Sequence, residues 1–181
     1  MGNPAITKID LAMLSNGMPG LTSACGKVLA ESAAICLEDS KHQAGVSLQL
    51  SGISHEARVL QWSAVDDQQR RSYNDLQEAT EWGACGIAIL LIKELIGLSV
   101  VERSKKGTNF DYWLGKDDDD QLFSGKARLE VSGILLETSN EIATRVKQKK
   151  AQIKPSNHLA PGYVAVVGFG KPTAHVEEVK S

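Results

Sequence analysis

One apolar segment near the middle of the chain constrains the fold more than any other feature. Residues 82–95 carry six large aliphatic side chains, and the segment ends at Gly97. Its length and apolar content predict a buried helix, and a glycine directly after it is a frequent helix stop. Gly83 and Gly86 lower the helix propensity of the segment but permit close packing of a neighbouring element.

The elements predicted after this helix suggest a mixed sheet. Their order is strand, strand, strand, helix and strand, at residues 98–103, 110–114, 128–136, 141–153 and 163–169. We expect the first three strands to form an antiparallel meander. The last strand is reached through a helix, and such a connection allows it to pair in parallel.

The ends of the chain give weaker patterns. Helical spacing predicts a helix at 21–37, and two strand-like stretches at 46–50 and 57–65 predict an antiparallel hairpin. We interpret residues 1–19 as a mobile or loosely packed start. Residues 170–181 are expected to form an edge segment or a tail.

The predicted fold class is α/β (α+β). The core would occupy residues 75–181, with an N-terminal extension at residues 1–74 packed on it, in a single structural domain. The sequence leaves open whether this extension continues the sheet, covers it or dimerises. An unpaired hairpin edge invites self-association, so a homodimer is one expected assembly.

Composition narrows the environment and the partners. The 181 residues carry a net charge of −2, so no global basic field indicates nucleic acid, and DNA binding would need a local basic patch. Three cysteines without a C-x-x-C pair favour reduced thiols. No signal peptide or membrane span is expected, and we predict a cytoplasmic protein with no membrane partner.

Two strands each carry one acid among apolar residues, Asp111 in 110–114 and Glu130 in 128–136. If these strands are neighbours, the two carboxylates come together. Paired carboxylates on adjacent strands are suited to holding a divalent cation such as Mg²⁺ or Mn²⁺ against a phosphate. The alternative is that each acid forms a salt bridge with a nearby cation.

This order of elements, with a glycine turn at residues 106–109 leading into Asp111, resembles the PD-(D/E)XK nuclease-like superfamily over residues 75–169. The resemblance implies a restriction-endonuclease-like core and Mg²⁺-dependent cleavage of DNA. It implies that Asp111 and Glu130 are catalytic metal ligands and that Glu81, or Glu78, is an auxiliary acid on the preceding helix.

Ser132 stands where the family has its catalytic lysine. A serine can hydrogen-bond a water molecule but brings no positive charge, and this loss would cost a few kcal/mol of transition-state stabilisation. Lys149 and Lys126 are the candidates to replace that charge. The family also places a basic or amide residue on the following helix, and Arg145, Gln148 or Lys149 would match it.

Two clusters of basic residues provide the expected DNA contacts. Lys105 and Lys106 lie in the turn before Asp111, and Arg145 and Lys150 lie on the later helix. If both clusters share one rim, they form a phosphate-binding groove. The alternative is a solvated helix face.

These observations lead to three competing expectations. The first is a divalent-metal-dependent DNA endonuclease-like domain, active or degenerate. The second is a catalytically inactive module of the same fold that binds DNA or protein as a subunit of a larger assembly. The third is an α+β interaction protein with no nucleic-acid role. A lysine within reach of the two acids would favour the first over the second.

The remaining candidate motifs are weak. The segment 168–173 resembles a phosphate loop, but Pro172 follows the lysine where Ser or Thr is needed. The four histidines show no metal-ligand spacing, and each is expected at the surface; they are His42, His55, His158 and His175.

Overall fold

The structure is a computed structural model that describes residues 7–117, 126–138 and 140–180. The strands are β1 Lys8–Asp10, β2 Ser47–Gly52, β3 Arg58–Gln61, β4 Ser99–Arg103, β5 Tyr112–Gly115, β6 Ala127–Ile134, β7 Gly162–Gly168 and β8 Thr173–Val179. The α-helices are α1 Ser23–Asp39, α2 Asp67–Ser72, α3 Leu76–Ile96 and α4 Glu141–Ile153.

The eight strands form one mixed sheet in the order β1-β3-β2-β8-β7-β6-β5-β4. Strands β4, β5 and β6 form the predicted antiparallel meander, and β6 pairs with β7 in parallel. Helices α1 and α3 pack on one face of the sheet, and α4 packs on the other. The mixed α/β class is therefore confirmed.

Helix α3 has the stop and the close packing that its sequence predicts. Gly97 follows it in the left-handed conformation, with φ of 71°. The backbone of Gly83 lies against Ala33 of α1, where an added Cβ would come within 2.8 Å of the Ala33 Cα. The two helices thus approach closely because a side chain is missing at the crossing point.

The N-terminal segment extends the sheet, which answers the question that the sequence left open. The hairpin of β2 and β3 is antiparallel, as predicted, and β2 also pairs in parallel with β8.

Asp66 caps α2 through a capping box with Gln69, because its carboxylate accepts the Gln69 N–H at 2.8 Å.

The prediction of a loosely packed start is wrong for residues 7–19. Strand β1 pairs in parallel with β3, and a 3₁₀ helix at Leu11–Asn16 follows it. Leu11 and Leu14 are both only 1% exposed. The segment is too short to show a period, so only its packing in the core shared with α1 and α3 reveals that it is ordered.

The prediction of an edge segment or tail at residues 170–181 is also wrong for residues 170–180, and Ser181 lies outside the described residues. Strand β8 lies inside the sheet, with β7 on one side and β2 on the other. Ala174 and Val176 point into the core and are 1% exposed. Polar residues alternate with them, because one face of this strand is only partly covered by α4, and that alternation resembles an edge strand in sequence.

None of the helices in the described parts of the chain has the length and hydropathy of a membrane span.

Gly83→Ala tests the contact between α1 and α3, because this contact determines whether the substitution raises or lowers the stability. In an exposed helix this change stabilises by about 1 kcal/mol, because alanine has the better helix propensity. Here the added methyl group meets the Ala33 backbone, and we expect a loss of about 2 kcal/mol in the free energy of unfolding, measured with urea. An increase in stability would contradict the close approach.

Candidate functional site

Asp111 is held against β6 by its backbone and its side chain. Its N–H donates to the Leu129 carbonyl at 2.9 Å, and its carboxylate Oδ2 accepts the Val131 N–H at 2.8 Å. These two bonds lie on either side of Glu130 in the β6 sequence. The two acids that the sequence pairs are therefore brought together, close enough for Asp111 to raise the pKa of Glu130.

Both acids line a cleft of about 440 Å³ at the end of the meander. The end of β4 contributes Arg103 to the same cleft, and the turn after it contributes Lys105 and Lys106. Acidic groups and cations thus lie in one concave surface, which is the arrangement that a phosphate ester and a cation together would require.

The basic turn is shaped by two residues with positive φ. Gly107 has φ of 95°, and Asn109, which tolerates the left-handed region better than most residues, has φ of 66°. The turn closes where the Ser104 N–H donates to the Asp111 carbonyl at 2.8 Å. This geometry fixes the lysines of the turn beside Asp111.

Glu130 is buried beside a second acid and bonded to two side chains of α4. It is 2% exposed, and its Oε1 accepts from Lys149 Nζ at 2.5 Å and from Gln152 Nε2 at 2.8 Å. Burial and, next, the nearby Asp111 raise the pKa of Glu130 to about 7, although Lys149 acts in the opposite direction. A further cation in the cleft would favour the charged form of Glu130.

Helix α4, which supplies Lys149, is anchored by a buried arginine on β6. Arg128 is 0% exposed, and its guanidinium donates to the carbonyl groups of Ile153 and Ala160, both at 2.9 Å. A guanidinium near the last turn of a helix satisfies carbonyls that have no partner within the helix. Arg128 therefore fixes the end of α4, next to the turn that carries Lys149 and Gln152.

Ser132 has a cation beside it that does not come from its own strand. Arg145 Nη1 on α4 donates to Ser132 Oγ at 2.8 Å. The two cations that α4 directs at β6 are thus Arg145 at Ser132 and Lys149 at Glu130. Lys126, the other candidate replacement for the missing lysine, lies 5.4 Å above the ring of Trp113.

The structure separates the remaining predicted residues from the cleft. Glu81 lines another pocket of about 410 Å³ together with Arg145, and Glu78 is exposed near the start of α3. Lys150 pairs with Glu177 on β8. Of the four expected DNA contacts, Lys105 and Lys106 line the cleft, whereas Arg145 lines the other pocket.

Gln152 is the site residue that sequence reasoning missed. It lines the cleft, donates to Glu130 and accepts from Lys149 at 3.0 Å. Its position three residues after Lys149 places both on one helix face, and this spacing was the available signal. Gln148, the amide that the sequence suggested, is exposed instead.

Two of the four histidines also differ from the prediction of surface positions. His55 and His158 are exposed, but His42 and His175 are partly buried. His42 Nε2 lies 3.0 Å from the carbonyl oxygens of Phe169 and Gly170. His175 forms hydrogen bonds with Ser51 and Glu177. Ser51 is 124 residues away in the sequence, so no local spacing reveals this contact.

The donor set of the cleft is suited to a hard cation. Two carboxylates offer the oxygen ligands that Mg²⁺ and Mn²⁺ prefer, and Mg²⁺ usually retains several waters when one or two carboxylates hold it. Among the described residues there is no group of three or more His, Cys, Asp or Glu that could hold a metal ion. Waters and a phosphate oxygen would have to complete the coordination.

No protein-family model, curated protein or solved structure matches this chain. The candidate function therefore rests on the geometry of the cleft.

The raised pKa of Glu130 predicts a pH-dependent stability. The pKa of Glu130 in the folded chain is about 7, above the ordinary value of 4.5. The contribution of Glu130 to the free energy of unfolding is therefore full below pH 4.5 and is lost as pH rises through 7. Between these limits we expect Glu130 to remove on the order of 2 kcal/mol from the free energy of unfolding.

Urea unfolding of the unaltered chain and of Glu130→Gln across this range measures the effect. The variant keeps the shape of the side chain without its titration, so its stability should fall less with rising pH. The exposed Glu78 gives a matched control, because Glu78→Gln should leave the pH dependence unchanged. Parallel curves for Glu130→Gln and the unaltered chain would contradict the assignment.

Proposed function

We propose that this protein is a divalent-metal-dependent nuclease-like domain that acts on DNA, with its active centre in the cleft between the β4–β5 turn and β6. Asp111 and Glu130 would hold Mg²⁺ or Mn²⁺. When bound, the metal ion supplies polarisation of the phosphate and a hydroxide from water. Burial and the neighbouring Asp111, which raise the pKa of Glu130, support the fit of a cation here.

The observation that carries the proposal is the contact between Lys149 and Glu130. The Nζ–Oε1 distance is 2.5 Å, so a lysine reaches the acid pair although Ser132 occupies the expected lysine position. This lysine comes from α4, and its side chain is 20% exposed. An amine held there can orient a water molecule and offset negative charge that develops on a phosphate.

The order and pairing of the elements also support the proposal. Helix α3, the meander, α4 and β7 follow each other as they do in the PD-(D/E)XK nuclease-like superfamily. Residues with the same chemistry occur directly before the second strand, at Asp111, and on the third strand, at Glu130. Glu81 has no role in the proposed centre, because it lines a different pocket.

The other residues of the cleft would position the substrate. Lys105 and Lys106 on the turn would contact phosphates on one side of the scissile bond. Gln152 would hold both Lys149 and Glu130 in place through its two hydrogen bonds. Burial of Glu130 strengthens every electrostatic interaction with it, because the local dielectric is low.

Cleavage assays provide the direct test. Linear, supercoiled and branched DNA are incubated with the protein and Mg²⁺ or Mn²⁺, and products are resolved by electrophoresis. We expect metal-dependent cleavage that Asp111→Ala with Glu130→Ala abolishes. Lys149→Met should lower the rate by about 100-fold, because a positioned charge is lost at the phosphate.

Lys147→Met is the matched control, since Lys147 lies on the same helix but is exposed. Its rate should equal that of the unaltered chain. Cleavage that persists in the variant with both acids replaced by alanine would contradict the assignment of the metal ligands.

A second candidate is a DNA-binding module without catalysis, and the contact between Arg145 and Ser132 favours it. Arg145 donates to Ser132 Oγ at 2.8 Å, so the cation beside the serine is engaged in a contact within the protein. A protein that binds DNA but does not cleave it with either metal ion would support this binding module over the nuclease.

The lysines of the turn give a test that both candidates share. Lys105→Ala with Lys106→Ala should weaken DNA binding about 10-fold and reduce the slope of log K against log salt by about 2, because each contact with duplex DNA contributes roughly 0.9. Lys8→Ala with Lys27→Ala removes the same charge from β1 and α1. Equal losses for the two double variants, measured by fluorescence anisotropy, would exclude the cleft as the binding surface.

A further inference from the structure

A second group of chemically reactive side chains lies on the sheet, apart from the cleft. Ser51 on β2 and His175 on β8 are register partners in the parallel pairing of these strands, and Ser51 Oγ lies 2.9 Å from His175 Nδ1. His175 Nε2 lies 3.2 Å from Glu177 Oε2. Glu177 follows His175 by two residues, so both side chains leave β8 on the same face.

The partners of His175 determine the direction of its hydrogen bonds. An ionised carboxylate can only accept, so Nε2 must carry the proton that points at Glu177. In the neutral ring Nδ1 is then an acceptor, and the Ser51 hydroxyl must donate to it. The serine proton is therefore already directed at a base.

Lys150 keeps Glu177 in the charged form that this arrangement needs. It donates to Glu177 Oε1, the oxygen that does not face His175. The hydrogen bond from Lys150, supported by that of His175, outweighs partial burial and lowers the pKa of Glu177. The carboxylate is thus ionised when it orients the imidazole.

The three groups are accessible from solvent. The apolar side chains that α4 covers lie mainly on β6 and β7, so the adjoining surface of β8 and β2 is less covered. The side chains of His175 and Glu177 are 21% and 33% exposed. The residue after Ser51 is Gly52, with φ of 92°, and a Cβ there would lie 3.3 Å from His175 Cε1. The same Cβ would lie 2.0 Å from the Val176 carbonyl oxygen, so only glycine fits at this position beside the imidazole.

We propose that Ser51, His175 and Glu177 form a second reactive site, in which Ser51 is a nucleophile towards small activated esters. A nucleophile in hydrogen-bond contact with a base, which a third group orients in turn, is the arrangement that activates a serine. This site is independent of the nuclease-like cleft, because it uses the opposite side of α4 and needs no metal ion.

The chemistry balances with the ester and water alone. Ser51 Oγ forms a bond to the acyl carbon while its proton moves to His175 Nδ1, and the bond to the leaving alcohol then breaks as the alcohol takes that proton. Water next attacks the acyl-serine and gives a proton to Nδ1. Loss of the acid returns this proton to Ser51 Oγ. Glu177 stabilises the imidazolium in both steps.

A fluorophosphonate probe measures the reactivity of Ser51 directly. The hydroxyl displaces fluoride to form a stable phosphonate ester, and peptide mass spectrometry locates the label. We expect labelling at Ser51 and its loss in Ser51→Ala. His175→Gln should slow labelling about 100-fold, the scale for removing a general base, and Glu177→Gln about 10-fold or more.

Ser47 provides the internal control. It lies on the same strand and the same face as Ser51, is exposed, and has no histidine partner; its Oγ accepts from Gln49 instead. In the unaltered chain Ser51 should be labelled at least 10-fold faster than Ser47. Equal rates at the two serines would overturn the proposal, and this comparison does not depend on the folding of any variant. Equal labelling of Ser51 in His175→Gln would overturn it as well.

Discussion

The pairing of β8 with two partners is the constraint on which the rest of the structure depends. It joins β7 in antiparallel register and β2 in parallel register, so a single strand connects the meander to the N-terminal hairpin. One continuous sheet then gives α1 and α3 a common surface. Without β8 the hairpin and the meander would be two small sheets, each with an additional exposed edge.

Helix α4 serves both proposed sites because neighbouring residues on a helix point in different directions. Lys149 reaches Glu130 on β6, and Lys150 reaches Glu177 on β8. The helix can do this only where its axis is fixed, and Arg128 fixes its end by hydrogen bonds to carbonyl groups around Ile153. A buried arginine that donates to backbone carbonyls thus fixes the end of the helix that forms two acid–lysine pairs.

The sequence predicts those parts of the molecule that local chemistry determines. The buried helix α3, its glycine stop, the meander and the proximity of Asp111 and Glu130 all follow from apolar patterns and short connections. The interior position of β8 in the sheet does not follow from such a pattern. Polar and apolar residues alternate along β8 as they do in any strand with one well-covered face, whether it lies at the edge of a sheet or inside it. The roles of Gln152 and His175 depend on partners 22 and 124 residues away, which no local pattern encodes.

The parallel pairing of β2 with β8 also has a consequence for folding kinetics. Ser51 of β2 and its register partner His175 of β8 are 124 residues apart in the sequence, so their contact closes a loop that contains the whole meander. Contacts at such sequence separation form slowly, because the entropy of loop closure must be overcome before they stabilise the chain. The strands of the meander lie close together in the sequence and can pair earlier. We therefore expect the sheet to be completed late in folding, when β8 enters between its two neighbours.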